Sequence, residues 1–371
     1  MSEEQKDVTS KAAERKPVRP VLIVSERTLY DYSVFLKHLL AGLADESVPV
    51  ALVCRPECDV DSVVLPMVEV VRHPVIDLPL MGRQNRKMLV GRLEKFGPTV
   101  LHCLSESKAR LTRQLAVQLD LPYVMSVDSL QRRWAGLAIS SRHCARIIVP
   151  AKSIADNFAR RYPGLAGRVM QINLGTFVDE TGRCSYEPGE FTGMVTTHPL
   201  NKADDYENLL NAVRHLVIDG YELMLVIMGS GRGEWQLRKL LRALGLLWIV
   251  TIVPRLTAWR SVLAAGHIFI RPQPNNVFDP FLLEAMSVGA AVAGCKGGVD
   301  DLIDDGRHCV LFDPADELSI YSSLQKLLDR PEFARRLATE AQQYLRENHS
   351  VSTMVAKIVQ TYHDAEQWYR R

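Results

Sequence analysis

From Val21 the chain alternates short apolar runs with segments whose apolar residues recur every three to four positions. "VLIVS", "VPVALVC", "TVLHCLS", "PYVMSVD", "ARIIVPA" and "RVMQINLG" read as strands, with "YSVFLKHLLAGLA", "LTRQLAVQLDL" and "SIADNFARRY" as helices among them. Continuous β-rich runs separated by helical spacing indicate parallel βαβ units whose strands are covered on both faces. The rhythm breaks at "TFVDETGRCSYEPGEF", where Gly, Pro and charge replace periodicity. It then resumes with the strand runs "TGMVTTH", "ELMLVIMGSG", "IVTIVP", "HIFIRP", "AAVAGC" and "CVLFDP" and helical runs such as "YENLLNAVRHLVIDG", "EWQLRKLLRALG", "FLLEAMSVG" and "ELSIYSSLQKLL". The pattern predicts an α/β protein of two doubly wound, Rossmann-like domains facing a cleft. Residues 20–176 form the first, 177–191 the linker and 192–350 the second. Residues 351–371 have helical spacing. Residues 1–19 are charged and lack an apolar core, so they read as a disordered arm and not a signal peptide.

The bulk composition narrows the function classes. A chain of 371 residues is long enough for two cores. Its 47% hydrophobic and 24% charged residues are those of a globular protein, and a formal charge of +2 offers no field that demands nucleic acid. Basic clusters in "LQRRWAG" and "NFARRYPG" are candidates for a membrane- or polyanion-facing edge, with solvated helix faces the plainer reading. Seven scattered cysteines, with only Cys54 and Cys58 close together, suggest free thiols in a cytoplasmic protein rather than a zinc site or disulfide framework. No apolar run approaches the length of a membrane span.

In doubly wound sheets, ligands bind beyond the carboxyl ends of the strands. The loops at those ends include "SER", "SVDSL", "TTHPLNK", "MGSGRGE", "RPQPNNVFDP" and "CKGGVDD". In "IMGSGRGEW", Gly229 and Gly231 fit the first two positions of a dinucleotide fingerprint. Glu234 occupies the third, so the segment reads as a tight turn near a nucleotide and not as a dehydrogenase motif. Asp59 and Asp61 have D-x-D spacing but no further acidic ligand, which favours a solvated loop over a metal site. Lys202, with His198 nearby, precedes a helix in a loop leaving a strand, where a cation and backbone N–H groups could together hold a diphosphate.

The stretch "PQPNNVFDPFLLEAMSVGAAVAGCKGG" carries a resemblance. It is similar, in register, to the signature P-S-x-x-E-G-F-G-x-x-x-x-E-A-M-A-x-G-x-P-V-V-A…G-G of family 4 glycosyltransferases, the group 1 retaining enzymes with the two-domain GT-B fold. Pro272, Phe278, Glu284-Ala285-Met286, Gly289, Ala293 and Gly297-Gly298 fall on signature positions. The resemblance extends over about Val195–Leu328 and is looser over Val21–Gly175. It implies transfer of a sugar from a nucleotide-diphosphate donor to a saccharide or lipid-linked acceptor, with no further cofactor and no metal ion, at the inner face of a membrane or free of it. It also implies that the C-terminal helix crosses back onto the first domain. Glu284 then stands as the second acid of the family's E-x7-E pair and contacts the donor ribose, while Lys202 meets the diphosphate.

The chain departs from the signature at several polar positions. The first acid of the pair is Asn276, the glycines flanking Phe278 are Val277 and Asp279, and Pro280 follows. The arginine of the diphosphate pair is Thr197, Asp128 stands where a histidine is common, and the acid after Gly297-Gly298 is Asp301. The expected catalytic set is therefore Lys202, Asn276, Asp279 and Asp128. The expected nucleotide-sugar set is Thr197, His198, Lys202, Gly229, Gly231, Asn276, Phe278, Glu284, Gly297 and Gly298. Two other readings stand beside active transfer. One is a catalytically impaired protein of the same fold that binds a nucleotide, glycan or partner, and the other is a nucleotide-sugar epimerase-like enzyme.

Overall fold

The computed structural model describes residues 17–61, 63–74, 79–131, 136–180, 184, 190–254 and 259–371. Residues 1–16 of the arm, 132–135 of the first basic cluster and most of the linker lie outside these. The first domain is a seven-stranded parallel sheet of β1 (Pro20–Ile23), β2 (Ala51–Cys54), β3 (Glu69–Arg72), β4 (Val100–Cys103), β5 (Tyr123–Ser126), β6 (Cys144–Val149) and β7 (Val169–Gln171). The second is a six-stranded parallel sheet of β8 (Thr192–Thr196), β9 (Leu223–Met228), β10 (Val250–Val253), β11 (Ile268–Arg271), β12 (Ala291–Gly294) and β13 (Cys309–Leu311). Helices cover both sheets. β1, β2, β4, β11 and β12 are buried at every residue, which is why they appear in the sequence as unbroken apolar runs rather than alternating ones.

Strand order is β3-β2-β1-β4-β5-β6-β7 in the first sheet and β10-β9-β8-β11-β12-β13 in the second. The direction of winding reverses between β1 and β4, and again between β8 and β11. At each reversal the two adjacent connections leave toward opposite faces, opening a crevice at the strand ends.

The chain crosses between domains twice, and the crossings touch. Thr176 N donates to His349 O at 2.9 Å, and a Cβ on Gly175 would lie 2.5 Å from Val351 Cα. After the second crossing the helix Val351–Arg370 packs on the helix Ser33–Asp45 and on β4–β6 of the first domain. Gly42 permits that helix contact, since a Cβ there would meet Val355 Cγ2 at 2.4 Å. Buried polar groups also fix the helix. Tyr362 Oη lies 2.7 Å from His102 Nδ1, and His102 Nε2 lies 2.9 Å from Ser126 Oγ.

A second seam joins the domains at their strand ends. Val277 bridges Ser129 in antiparallel sense, Leu130 N donates to Asn276 O at 2.8 Å, and Phe278 N donates to Asp128 O at 2.7 Å. Tyr32 Oη donates to Phe278 O at 3.0 Å, and Trp259 Nε1 donates to Ser33 Oγ at 3.0 Å. Tyr32 of the first domain and Trp259, Phe278 and Leu282 of the second belong to one buried apolar cluster.

Candidate functional site

The crevice between the ends of β8 and β11 is a cavity of about 290 Å³. Thr197, His198, Pro199 and Asn201 form one wall, from the loop after β8. Arg271 and the following loop form another, and Arg27 and Asp31 of the first domain face them. A wider crevice of about 450 Å³ lies against the two interdomain crossings and not at strand ends, so the smaller cavity is the candidate site.

Arg271 is its most unusual feature. The residue closes β11 and is only 2% exposed. Its Nη2 donates to Gly297 O at 3.0 Å, while Nε and Nη1 are buried without a hydrogen-bond partner among the described residues. A buried guanidinium with open donors is costly by several kcal/mol, and such groups are ordinarily paired. Asp279 offers only partial relief. Its Oδ1 accepts from Phe281 N at 3.0 Å and Leu282 N at 3.2 Å, capping the helix Pro280–Ser287. Burial pushes the Asp279 carboxyl above the ordinary range, against the opposing pull of Arg271 and the two backbone donors. Nearby, burial lowers the His198 imidazole below its usual value, although Asp205 at 3.7 Å pulls the other way. His198 O accepts from Tyr206 Oη, fixing the loop.

Of the residues expected from the sequence, the cavity brings together Thr197, His198, Phe278 and Asp279. The others lie elsewhere. Lys202 is exposed at the rim, with no ion pair among the described residues, and is not on the wall. Asn276 is exposed, and its carbonyl is held by Leu130 of the first domain. Phe278, which does line the cavity, is 2% exposed and also packs in the interdomain seam. Asp128 sits behind Arg27, its Oδ2 3.2 Å from Nη2 of that arginine.

The glycines have local reasons. A Cβ on Gly231 would lie 2.2 Å from Leu200 O, so contact with the β8 loop, not a ligand, requires glycine there. Gly229 lines a small adjoining pocket of about 20 Å³ with Thr197 and Ser230. Gly297 and Gly298 have φ of +112° and +72°, and a Cβ on Gly298 would lie 2.1 Å from Asn275 O. The pair seats its loop against Asn275 and presents the carbonyl that holds Arg271.

Glu284, expected at the donor ribose, lies in the second turn of the helix Pro280–Ser287 and does not line the cavity. The carboxylate is 3% exposed, and its Oε2 accepts from Arg260 Nε at 2.9 Å and from Ser287 Oγ at 3.3 Å. Arg260 also pairs with Asp179 beside the first interdomain crossing. A buried carboxylate needs a cation, and the helix Trp259–Ala264 supplies one from within the domain. Asp301 turns away from the cavity to the first domain, where Ser153 N donates to its Oδ1 at 3.0 Å. Asp59 forms an exposed turn with Asp61, whose carboxylate pairs with Arg72.

Sequence reasoning missed Arg271, Arg27 and Asp31. The available signal for Arg271 was a charge ending the apolar run "HIFIRP" at a strand terminus.

Residues 188–344 match the family model described as Glycosyl transferases group 1. HepE of Anabaena, solved in complex with UDP and glucose, superposes with a TM-score of 0.76 at 13% identity, covering 93% of this chain and 99% of that one. A glycosyltransferase from Rickettsia africae superposes with a TM-score of 0.74 at 10% identity, covering 95% and 99%. The fold is GT-B. In sequence, the alpha-D-kanosaminyltransferase of Streptomyces kanamyceticus is 29% identical over 138 residues, and that match spans 36% of each protein. The chain thus aligns with about a third of that relative's length. Among the described residues no helix is long and apolar enough to cross a membrane, and no group of three or more His, Cys, Asp or Glu side chains is placed to hold a metal ion.

Proposed function

We propose that this GT-B protein is a glycosyltransferase that takes a sugar from a nucleotide-diphosphate donor and transfers it with retention to a saccharide or lipid-linked acceptor. The observation that carries this reading is the cavity between β8 and β11, at the winding reversal of the domain that matches the group 1 model. An anionic donor suits a cavity lined by a buried arginine whose donors are not all paired. In the reaction the bond from the anomeric carbon to the leaving phosphate oxygen breaks as the acceptor hydroxyl oxygen bonds to that carbon. The hydroxyl proton leaves with the diphosphate. Cations in the cavity stabilise charge growing on the leaving group, and the Asp279 carboxylate lies where it can stabilise positive charge on the sugar. Asp128, through Arg27, orients the opposite wall. Lys202 at the rim supplies longer-range attraction for the donor.

The exposed side of the helix Glu234–Leu244 supports peripheral attachment to an anionic membrane. Trp235, Lys239 and Arg242 share one face at helical spacing, beside Arg238, which is paired with Glu234; Trp235 is 70% exposed, and Trp248 just beyond the helix is 90% exposed. A thermal-shift panel of nucleotide sugars tests the donor class, because a ligand bound to the native state raises Tm by mass action. The reading requires stabilisation by at least one nucleotide-diphosphate sugar and its nucleoside diphosphate. No shift with any of them contradicts it.

A further inference from the structure

The signature that this chain resembles places a cation at the position of Thr197, in the loop after β8. The neighbouring strand end carries one instead. β8 and β11 are paired, Ile268 with Met194 and Phe269 with Val195, so Arg271 emerges beside Thr197 at the same edge of the sheet. Both residues line the cavity. The guanidinium is almost wholly buried and anchored through Nη2 on Gly297 O, while Nε and Nη1 have no hydrogen-bond partner among the described residues.

We propose that Arg271 is the principal cation for the donor's diphosphate, so that the charge absent at Thr197 has moved one strand across the sheet. This rests on the nucleotide-sugar reading above and adds the residue that selects a diphosphate over an uncharged ligand. Two unpartnered donors on a rigid planar group suit phosphate oxygens. Gly297 acquires a role through the same contact, because its carbonyl aims the guanidinium. Lys202, exposed at the rim, is the secondary cation.

The test compares binding of UDP, ADP, GDP and dTDP, of the corresponding nucleosides, and of inorganic pyrophosphate by calorimetry. The proteins are the wild type, Arg271→Met, Arg271→Lys, Lys202→Met and the double variant Thr197→Arg/Arg271→Met. For the nucleoside diphosphate that the wild type prefers, Arg271→Met should weaken binding about 30-fold or more while nucleoside affinity changes less than about threefold. Arg271→Lys should lie between, Lys202→Met should cost less than Arg271→Met, and Thr197→Arg should restore part of the loss. Wild-type affinity for the diphosphate in Arg271→Met overturns the proposal. Should that variant fail to fold, an unchanged affinity in Arg271→Lys overturns it equally. If the wild type binds pyrophosphate through Arg271 but no nucleotide, the anion site stands and the nucleotide-sugar reading falls. If it binds none of these ligands, both fall.

Discussion

Two acidic residues near the cavity separate structural from chemical roles by simple substitutions. Asp279 caps a helix and faces the cavity, so replacement by Ala removes both contributions at once. Asn is also a good N-cap, and Asp279→Asn should therefore leave Tm nearly unchanged, whereas Asp279→Ala should cost about 1 kcal/mol. If the carboxylate stabilises charge on the reacting sugar, Asp279→Asn should lower kcat on the order of 10- to 100-fold with donor affinity little altered. Equal turnover in Asp279→Asn and wild type confines the residue to capping. Glu284 calls for the opposite outcome. Because it holds Arg260 rather than lining the cavity, Glu284→Gln should reduce stability by about 2 kcal/mol, less than a fully buried pair because Arg260 is partly exposed. Nucleoside affinity should remain within about twofold, and a tenfold loss in calorimetry would show that the carboxylate meets the ribose after all. The sequence showed a lone carboxylate within an apolar helix but not its partner, since Arg260 lies 24 residues away on another helix. Arg271 was hidden for a related reason. A strand-end arginine looks like a surface residue until the fold shows how deeply its strand is buried.

At the scale of elements, every strand run read in the sequence belongs to one of the two sheets, because buried parallel strands leave unmistakable apolar segments. β3 and the helices Pro79–Phe96 and Pro331–Asn348 escaped the reading. β3 is an edge strand whose first and last residues, Glu69 and Arg72, are exposed, so it lacks the apolar signature. The C-terminal helix was legible as a helix, but its polar anchor was not. His102 lies on β4 between Ser126 and Tyr362, and burial pushes its pKa down to about 3. The unfolded chain protonates this imidazole near pH 6.5, the folded chain only near 3. Protons therefore favour the unfolded state across that interval, and the histidine's contribution to stability falls as pH drops from 6.5 toward 3. The slope is at most about 1.4 kcal/mol per pH unit for one such group. Urea midpoints measured between pH 4 and pH 7 should rise with pH, and His102→Gln should flatten that rise. A variant with the same slope as the wild type would place the pH sensitivity in other buried histidines.

For the whole molecule, two seams hold the domains together: the paired crossings near Gly175 and Val351, and the loop 275–278 docked on residues 128–130. The second seam uses the part of the chain in which the sequence resemblance was sought. Asn276 and Phe278 consequently serve interdomain contact here, which no one-dimensional motif could reveal. With Trp235 and Trp248 exposed on the second domain, the protein should sediment with vesicles containing anionic lipid and not with neutral vesicles. Binding should weaken in Lys239→Glu/Arg242→Glu, while equal recovery with neutral lipid argues against an electrostatic membrane face. The central claim is donor use, and the most direct measurement is release of nucleoside diphosphate from a panel of nucleotide sugars, with and without simple glycoside acceptors. The account predicts release from at least one donor, faster with an acceptor, and a glycoside product with the donor's anomeric configuration. Intact nucleotide binding with no release from any donor would contradict it and leave a GT-B protein that binds without transferring.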